Sequence, residues 1–206
     1  VTLTKSQILS KFGPKFAAAG KTAGILQGIH YATGGHAVVT NRHYMLVIHD
    51  AHKFEQPLTI HAKTGQPLEG VYPDTSKIIP SSFNGEITIL QEEMSKALLA
   101  AQLVAGVASK LDKEAPIAQI EILNGHAYLN VIRDMPLIDM SIRISEAAPR
   151  ENSQRSLNAE YLATALSVFD AAGTGVEIKL RGPLEPIVLT NYNGIDVLIL
   201  PYRVTQ

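Results

Sequence analysis

Cysteine and tryptophan are both absent from the 206 residues. The first absence excludes disulfides, thiolate-ligated metals and cysteine nucleophiles. The second, with aromatics at only 6% of the chain, leaves little material for stacking the bases of single-stranded nucleic acid. No apolar run approaches the roughly 20 residues of a membrane-spanning helix. The longest, across residues 97–108, is interrupted by Gln102 and Gly106 and closed by Ser109. The first residues show no basic-then-apolar leader pattern, so the expected location is the cytoplasm, with no membrane partner. A glycine-rich phosphate loop, a nucleophile elbow and a His-Glu-x-x-His motif are missing too, which removes the commonest sequence warrants for an enzyme.

What is present reads as a folded protein. Hydrophobic residues make up 46% and charged residues 18%, a balance that argues against disorder. The length allows one large domain or two small ones. The net charge of −1 argues against a general nucleic-acid binder, yet the charge is unevenly spread. Residues 1–85 hold eight lysines and arginines against four acidic residues, a net +4, together with six of the seven histidines. Residues 86–206 hold ten against fifteen, a net −5. Such polarity suits either a surface facing a polyanion or head-to-tail association of chains.

Periodicity divides the chain into similar parts. Thr2 and Leu3 open an extended piece, and Thr4 or Ser6 caps a helix to about Ala19 with Ile8, Leu9, Phe12 and Phe16 at helical spacing. Pro14 is expected to kink or interrupt it. Strands follow at 25–31, 36–39 and 44–49; residues 51–80 are too rich in proline and glycine for a helix. Pro80, Ser81, Ser82, Asn84 and Gly85 mark a boundary, giving expected domains at 1–82 and 83–206. The second part predicts a strand at 86–90, a helix at 91–113, strands at 117–123, 127–132 and 137–144, a polar loop at 147–155, a helix at 157–171, and strands at 176–180, 186–190 and 195–203. The first part reads as a shortened version of the second. The expectation is an α+β protein with antiparallel sheets backed by helices, built from a duplicated unit whose first copy is truncated.

Four segments, in order, carry a family resemblance. Val39-Thr40-Asn41-Arg42-His43-Tyr44-Met45-Leu46, Gly70-Val71-Tyr72-Pro73-Asp74 closing at Ile79-Pro80, Leu157-Asn158-Ala159-Glu160-Tyr161-Leu162 with Leu166, and Leu198-Ile199-Leu200-Pro201-Tyr202-Arg203-Val204 resemble segments of the bacterial DNA polymerase III beta subunit, the sliding clamp. The likeness covers the clamp's middle and last domains in a shortened form, so both parts are expected to be clamp-like. The chain departs from the family pattern at Arg42, where the clamp has glycine, and at Tyr44, where it has arginine.

The resemblance implies a DNA-binding processivity factor of replication, not an enzyme, with no cofactor. Clamps encircle duplex DNA, touch its phosphates without reading sequence, and tether polymerases and repair proteins. On this chain the implied DNA-facing residues are Lys5, Lys11, Lys15 and Lys21, with Lys96, Lys110 and Lys113 as further candidates beside Glu92 and Glu93. The family's pocket for partner peptides implies Thr40, His43, Met45, Pro80, Leu198, Leu200, Pro201, Tyr202 and Arg203. Rings of this superfamily hold six domains, so the two-subunit ring of three-domain chains gives way to an expected homotrimer. Two other readings stand beside this one. The first is a clamp-like regulatory or interaction protein, of the kind a mobile element encodes, that binds partner proteins without encircling DNA. The second is a metal enzyme built on His43, His49, Asp50, His52 and His61.

Overall fold

A computed structural model describes residues 2–133, 136–146, 148–149 and 151–203. Ala147 and Arg150 of the expected loop at 147–155, and Val204, lie outside the described residues, as does the side chain of Lys21. The first helix, α1 (Lys5–Phe16), starts at a capping box. Thr4 Oγ1 accepts from the Gln7 N–H at 3.3 Å, and Gln7 Oε1 accepts from the Thr4 N–H at 2.9 Å, so two orphan donors are satisfied. Ile8, Leu9, Phe12 and Phe16 form its buried stripe. Pro14 sits inside the last turn. The helix ends two residues later, so the missing N–H removes a hydrogen bond only where the helix is already finishing. Thr2 and Leu3 form no strand; the Leu3 N–H instead donates to the Ala171 carbonyl at 2.8 Å.

Strands β1 (Gly28–Tyr31), β2 (Ala37–Thr40), β3 (Tyr44–Ile48) and β4 (Leu58–His61) complete the first part. The second part supplies β5 (Gly85–Ile89), α2 (Met94–Leu111), β6 (Ile117–Leu123), β7 (His126–Arg133), β8 (Ile138–Ser145), β9 (Ser153–Asn158), α3 (Ala159–Ala172), β10 (Val176–Leu180), β11 (Ile187–Thr190) and β12 (Ile195–Ile199). An eight-stranded antiparallel sheet runs β4-β1-β2-β3-β12-β11-β10-β5, and a four-stranded one runs β8-β7-β6-β9. This is the expected α+β architecture, with one helix in the first part and two in the second. Helix α2 lies on β6, β7 and β8 and against α3, while α3 reaches α1, β9 and β12.

The two parts meet where β3 pairs with β12, Leu46 opposite Val197 and Met45 opposite Leu198. Every residue of β2, β3 and β11 is buried. Helices cover one face of these strands, and residues 62–84 cross part of the other, where Tyr72 joins Val38, Met45, Val47 and Leu198 in a small second core. Strand β9 takes the place of the end of the expected loop and the start of the expected helix at Leu157. Its Ser153, Gln154, Arg155 and Ser156 all remain partly or fully exposed at a sheet edge and only Leu157 is buried, so no apolar alternation marks it. Asn158 then caps α3, its Oδ1 accepting from the Glu160 and Tyr161 N–H groups at 2.9 and 3.2 Å.

Two turns open alike. In Thr40-Asn41-Arg42-His43 after β2 and Thr190-Asn191-Tyr192-Asn193 after β11, the threonine Oγ1 accepts from the third residue's N–H and the asparagine Oδ1 from the fourth's. Asn41 Oδ1 also accepts from the Tyr44 N–H, and Asn191 Oδ1 from that of Ile195, the second turn being one residue longer. The third residue has positive φ in both, 80° at Arg42 and 52° at Tyr192.

Leu46 is fully buried at the central seam. Leu46→Ala is predicted to cost about 2–5 kcal/mol, read as a lower urea midpoint with an unchanged transition slope.

Candidate functional site

A groove of about 570 Å³ opens beside the β3–β12 seam on the face away from the helices, lined almost wholly by apolar groups. Its floor is the adjacent pair Met45 and Leu198. One wall is Ala23 to Leu26, within a 3-10 segment (Lys21–Gln27) that kinks at Gly24. Gly24 has φ 55° and ψ −131°, a conformation that L-residues with a side chain rarely adopt. The opposite wall is Pro73, Thr75 and Ile78, and the rim is Thr40, Arg42, His43 and Leu200.

The second wall is held by Tyr72, with the partly buried Ile79 and Phe83 packed on the same small core. Between residues 62 and 84 only Tyr72 is buried. Its ring stacks on His30 with centroids 4.5 Å apart and planes 5° apart, and its hydroxyl points to the Val38 carbonyl at 3.5 Å. Burial raises the Tyr72 phenol well above its ordinary pKa. His30 Nδ1 lies 2.9 Å from Thr59 Oγ1. Burial, and secondarily the neighbouring His52, lowers the His30 pKa from the ordinary 6.5.

Of the nine residues expected at a peptide pocket, Thr40, His43, Met45, Leu198 and Leu200 line this groove. Pro80, Pro201, Tyr202 and Arg203 lie outside its lining. The backbone explains the last three: the Leu200 N–H donates to the His43 carbonyl, but the Tyr202 N–H donates to the Ser156 carbonyl of β9 at 2.7 Å, carrying the chain off the sheet. Sequence reasoning missed residues 23–26, Arg42, Tyr44, Pro73, Thr75 and Ile78. Gly24 was visible only as a chain breaker, Pro73 only within a family-like segment, and Arg42 and Tyr44 only as departures from the family pattern.

The DNA-facing candidates divide. Lys11 and Lys15 are exposed on α1, their amines over the Phe12 ring at 5.2 and 5.6 Å from its centroid. Lys5 is half-buried and donates to the His49 carbonyl at 2.9 Å. Lys96, Lys110 and Lys113 are exposed on or just past α2, whereas α3 exposes Glu160 and Asp170.

The histidines are engaged separately. His49 Nε2 meets Asp196 Oδ2 at 2.7 Å across the seam. His52 Nδ1 accepts from the Phe54 N–H, and His61 Nδ1 accepts from the Lys63 and Thr64 N–H groups. Among the described residues no group of three or more histidine or acidic side chains is placed to hold a metal ion, so the geometry gives the metal-enzyme reading no site. No helix among them is long and apolar enough to cross a membrane.

No protein-family model and no curated protein sequence matches the chain. Solved structures match its fold. The DNA polymerase III beta chain of Streptococcus pneumoniae superposes with a TM-score of 0.77 at 18% identity, covering 99% of this chain and 64% of that one. The beta subunit of Borrelia burgdorferi gives 0.77 at 14% identity, with 100% and 63% covered. The sliding clamp of Bacillus subtilis gives 0.74 at 15%, with 98% and 63% covered. The chain therefore has the fold of the bacterial sliding clamps and spans just under two thirds of the length of those it matches.

Because the folded-state pKa of His30 is lowered, the unfolded chain takes up this proton first, and stability rises with pH across that window. The contribution is complete above about 6.5 and is lost as pH falls towards the folded value. His30→Gln is predicted to flatten the loss of stability between neutral and mildly acidic pH, measured by urea unfolding at a series of pH values.

Proposed function

We propose that the chain is a clamp-like tether: a non-enzymatic processivity factor whose seam groove captures an apolar peptide segment of a polymerase or repair protein while α1 faces duplex DNA. The observation that carries this reading is the groove itself. Five residues expected at a partner pocket, from two distant parts of the sequence, line one apolar cleft within a clamp fold. An apolar cleft with a few polar groups at its rim suits capture of a peptide whose anchors supply most of the energy. The division at residues 82 and 83, the cytoplasmic location and assembly of three chains into a ring belong to the same proposal. Lys11 and Lys15 are the DNA-facing residues it favours, being exposed on a helix that bears no acidic residue.

A second reading, an interaction protein that binds partners without encircling DNA, is favoured by α3, which offers Glu160 and Asp170 and no basic residue. The two separate on DNA. For the tether, Lys11→Glu with Lys15→Glu lowers affinity for duplex DNA and reduces the slope of log affinity against log salt by about 2, with a concentration-dependent trimer in light scattering. A monomer at every concentration with no DNA affinity selects the interaction protein.

The groove is tested by fluorescence anisotropy with a labelled clamp-binding peptide. Leu200→Ala is predicted to weaken binding about tenfold, the worth of one well-buried leucine anchor contact. Tyr202→Ala is predicted to leave it unchanged. Absence of binding to the wild-type chain at high micromolar protein would sink the reading.

A further inference from the structure

Arg42 stands where the groove meets solvent, and its chemistry differs from everything else there. Among the fourteen lining residues are no aspartate and no glutamate; besides His43, Arg42 is the one basic side chain. It is exposed, and among the described residues its guanidinium takes part in no ion pair or hydrogen bond. Its backbone is fixed: the N–H donates to Thr40 Oγ1 at 3.1 Å, and Asn41 braces the two residues that follow. The turn does not require arginine. A turn that opens with the same threonine and asparagine hydrogen bonds, and has a positive φ at the same position, carries Tyr192 in the second part of the chain. A non-glycine residue at positive φ is already uncommon, so the guanidinium is held at the rim by a backbone that would accept glycine more readily.

A guanidinium presents planar paired donors that match a carboxylate two-to-two. Placed without a counter-charge at the edge of an apolar cleft, it rewards a ligand that brings its own. We propose that the groove selects peptide segments bearing a carboxylate beside their apolar anchors, and that Arg42 is the specificity-determining residue that reads it. The inference rests on the peptide-groove reading and adds to it the chemical class of the ligand. The carboxylate comes from an aspartate or glutamate side chain or from a peptide's own C-terminus; both present the same two oxygens.

The test uses fluorescein-labelled eight-residue peptides with two leucine anchors. In one series an aspartate is stepped through the remaining positions of a C-terminally amidated peptide, each compared with its asparagine counterpart; in another the C-terminus is left free. At one position, or with the free terminus, the carboxylate form should bind the wild-type chain about three- to tenfold tighter than its neutral counterpart, the range expected for a charge-assisted contact at a partly exposed rim. That preference should vanish in Arg42→Gln, persist in part in Arg42→Lys, and shrink as salt is raised. The neutral peptide should bind wild type and Arg42→Gln alike. Which series shows the preference identifies the source of the carboxylate. Equal binding of charged and neutral peptides overturns the role of Arg42 while leaving the groove intact. No binding by any peptide, with Leu200→Ala indistinguishable from wild type, overturns both.

Discussion

The pairing of β3 with β12 is the constraint on which the rest depends. These strands lie far apart in the sequence, yet five consecutive residue pairs, from Ile48 opposite Ile195 to Tyr44 opposite Ile199, join them. Each face of the ladder then finds its own partner. On the helix side, Tyr44 stacks between Phe16 of α1 and Tyr161 of α3, with ring centroids 4.3 and 4.0 Å apart, and its hydroxyl donates to the Lys15 carbonyl. On the other side, Met45 and Leu198 lie in the small core closed by Tyr72. The two ends are tied as well, by His49 with Asp196 and by the Leu200 N–H with the His43 carbonyl. One ladder thus brings α1 to α3 and makes the groove floor in a single event.

The groove follows from how that ladder is bordered. Its walls are segments that regular structure cannot supply: a glycine-kinked 3-10 segment, an Asn-braced turn, and a proline-bearing crossing between β4 and β5. Met45 and Leu198 are themselves buried, at 4% and 2% exposure, in one small core with Tyr72 of the crossing. The apolar surface left open in the groove belongs to its borders, where Ile78 and Leu200 stay exposed beside polar rim atoms.

Much of this was legible from residue order, for physical reasons that also explain what was not. Helices α1 and α3 each bury a clean 3.6-period stripe, from Ile8 to Phe16 and from Leu162 to Phe169, and such stripes are read directly. Strands 117–123 and 176–180 alternate and were placed at their observed ends. Strand β9 escaped because an edge strand with polar outward side chains has no apolar face to report. The floor residues Met45 and Leu198 were named from family likeness, since a strand buried on both faces shows no alternation that says which side is open. The walls were invisible because residues 73–78 reach the groove through Tyr72, a contact no local pattern announces. Pro201, Tyr202 and Arg203 were named from the same family likeness; they lie outside the groove's lining, and the Tyr202 N–H donates to the Ser156 carbonyl.

The repeated Thr-Asn turn has a consequence for how such a protein diversifies. Its shape is set by one threonine hydroxyl and one asparagine carboxamide, both acting on main-chain N–H groups. The third position carries none of that work, and the chain has filled it once with a cation and once with a phenol. Such a turn is a socket. Its occupant is open to exchange by single substitutions at little cost to the scaffold, so a lineage can retune what it recognises at that edge while its folded frame stays as it was.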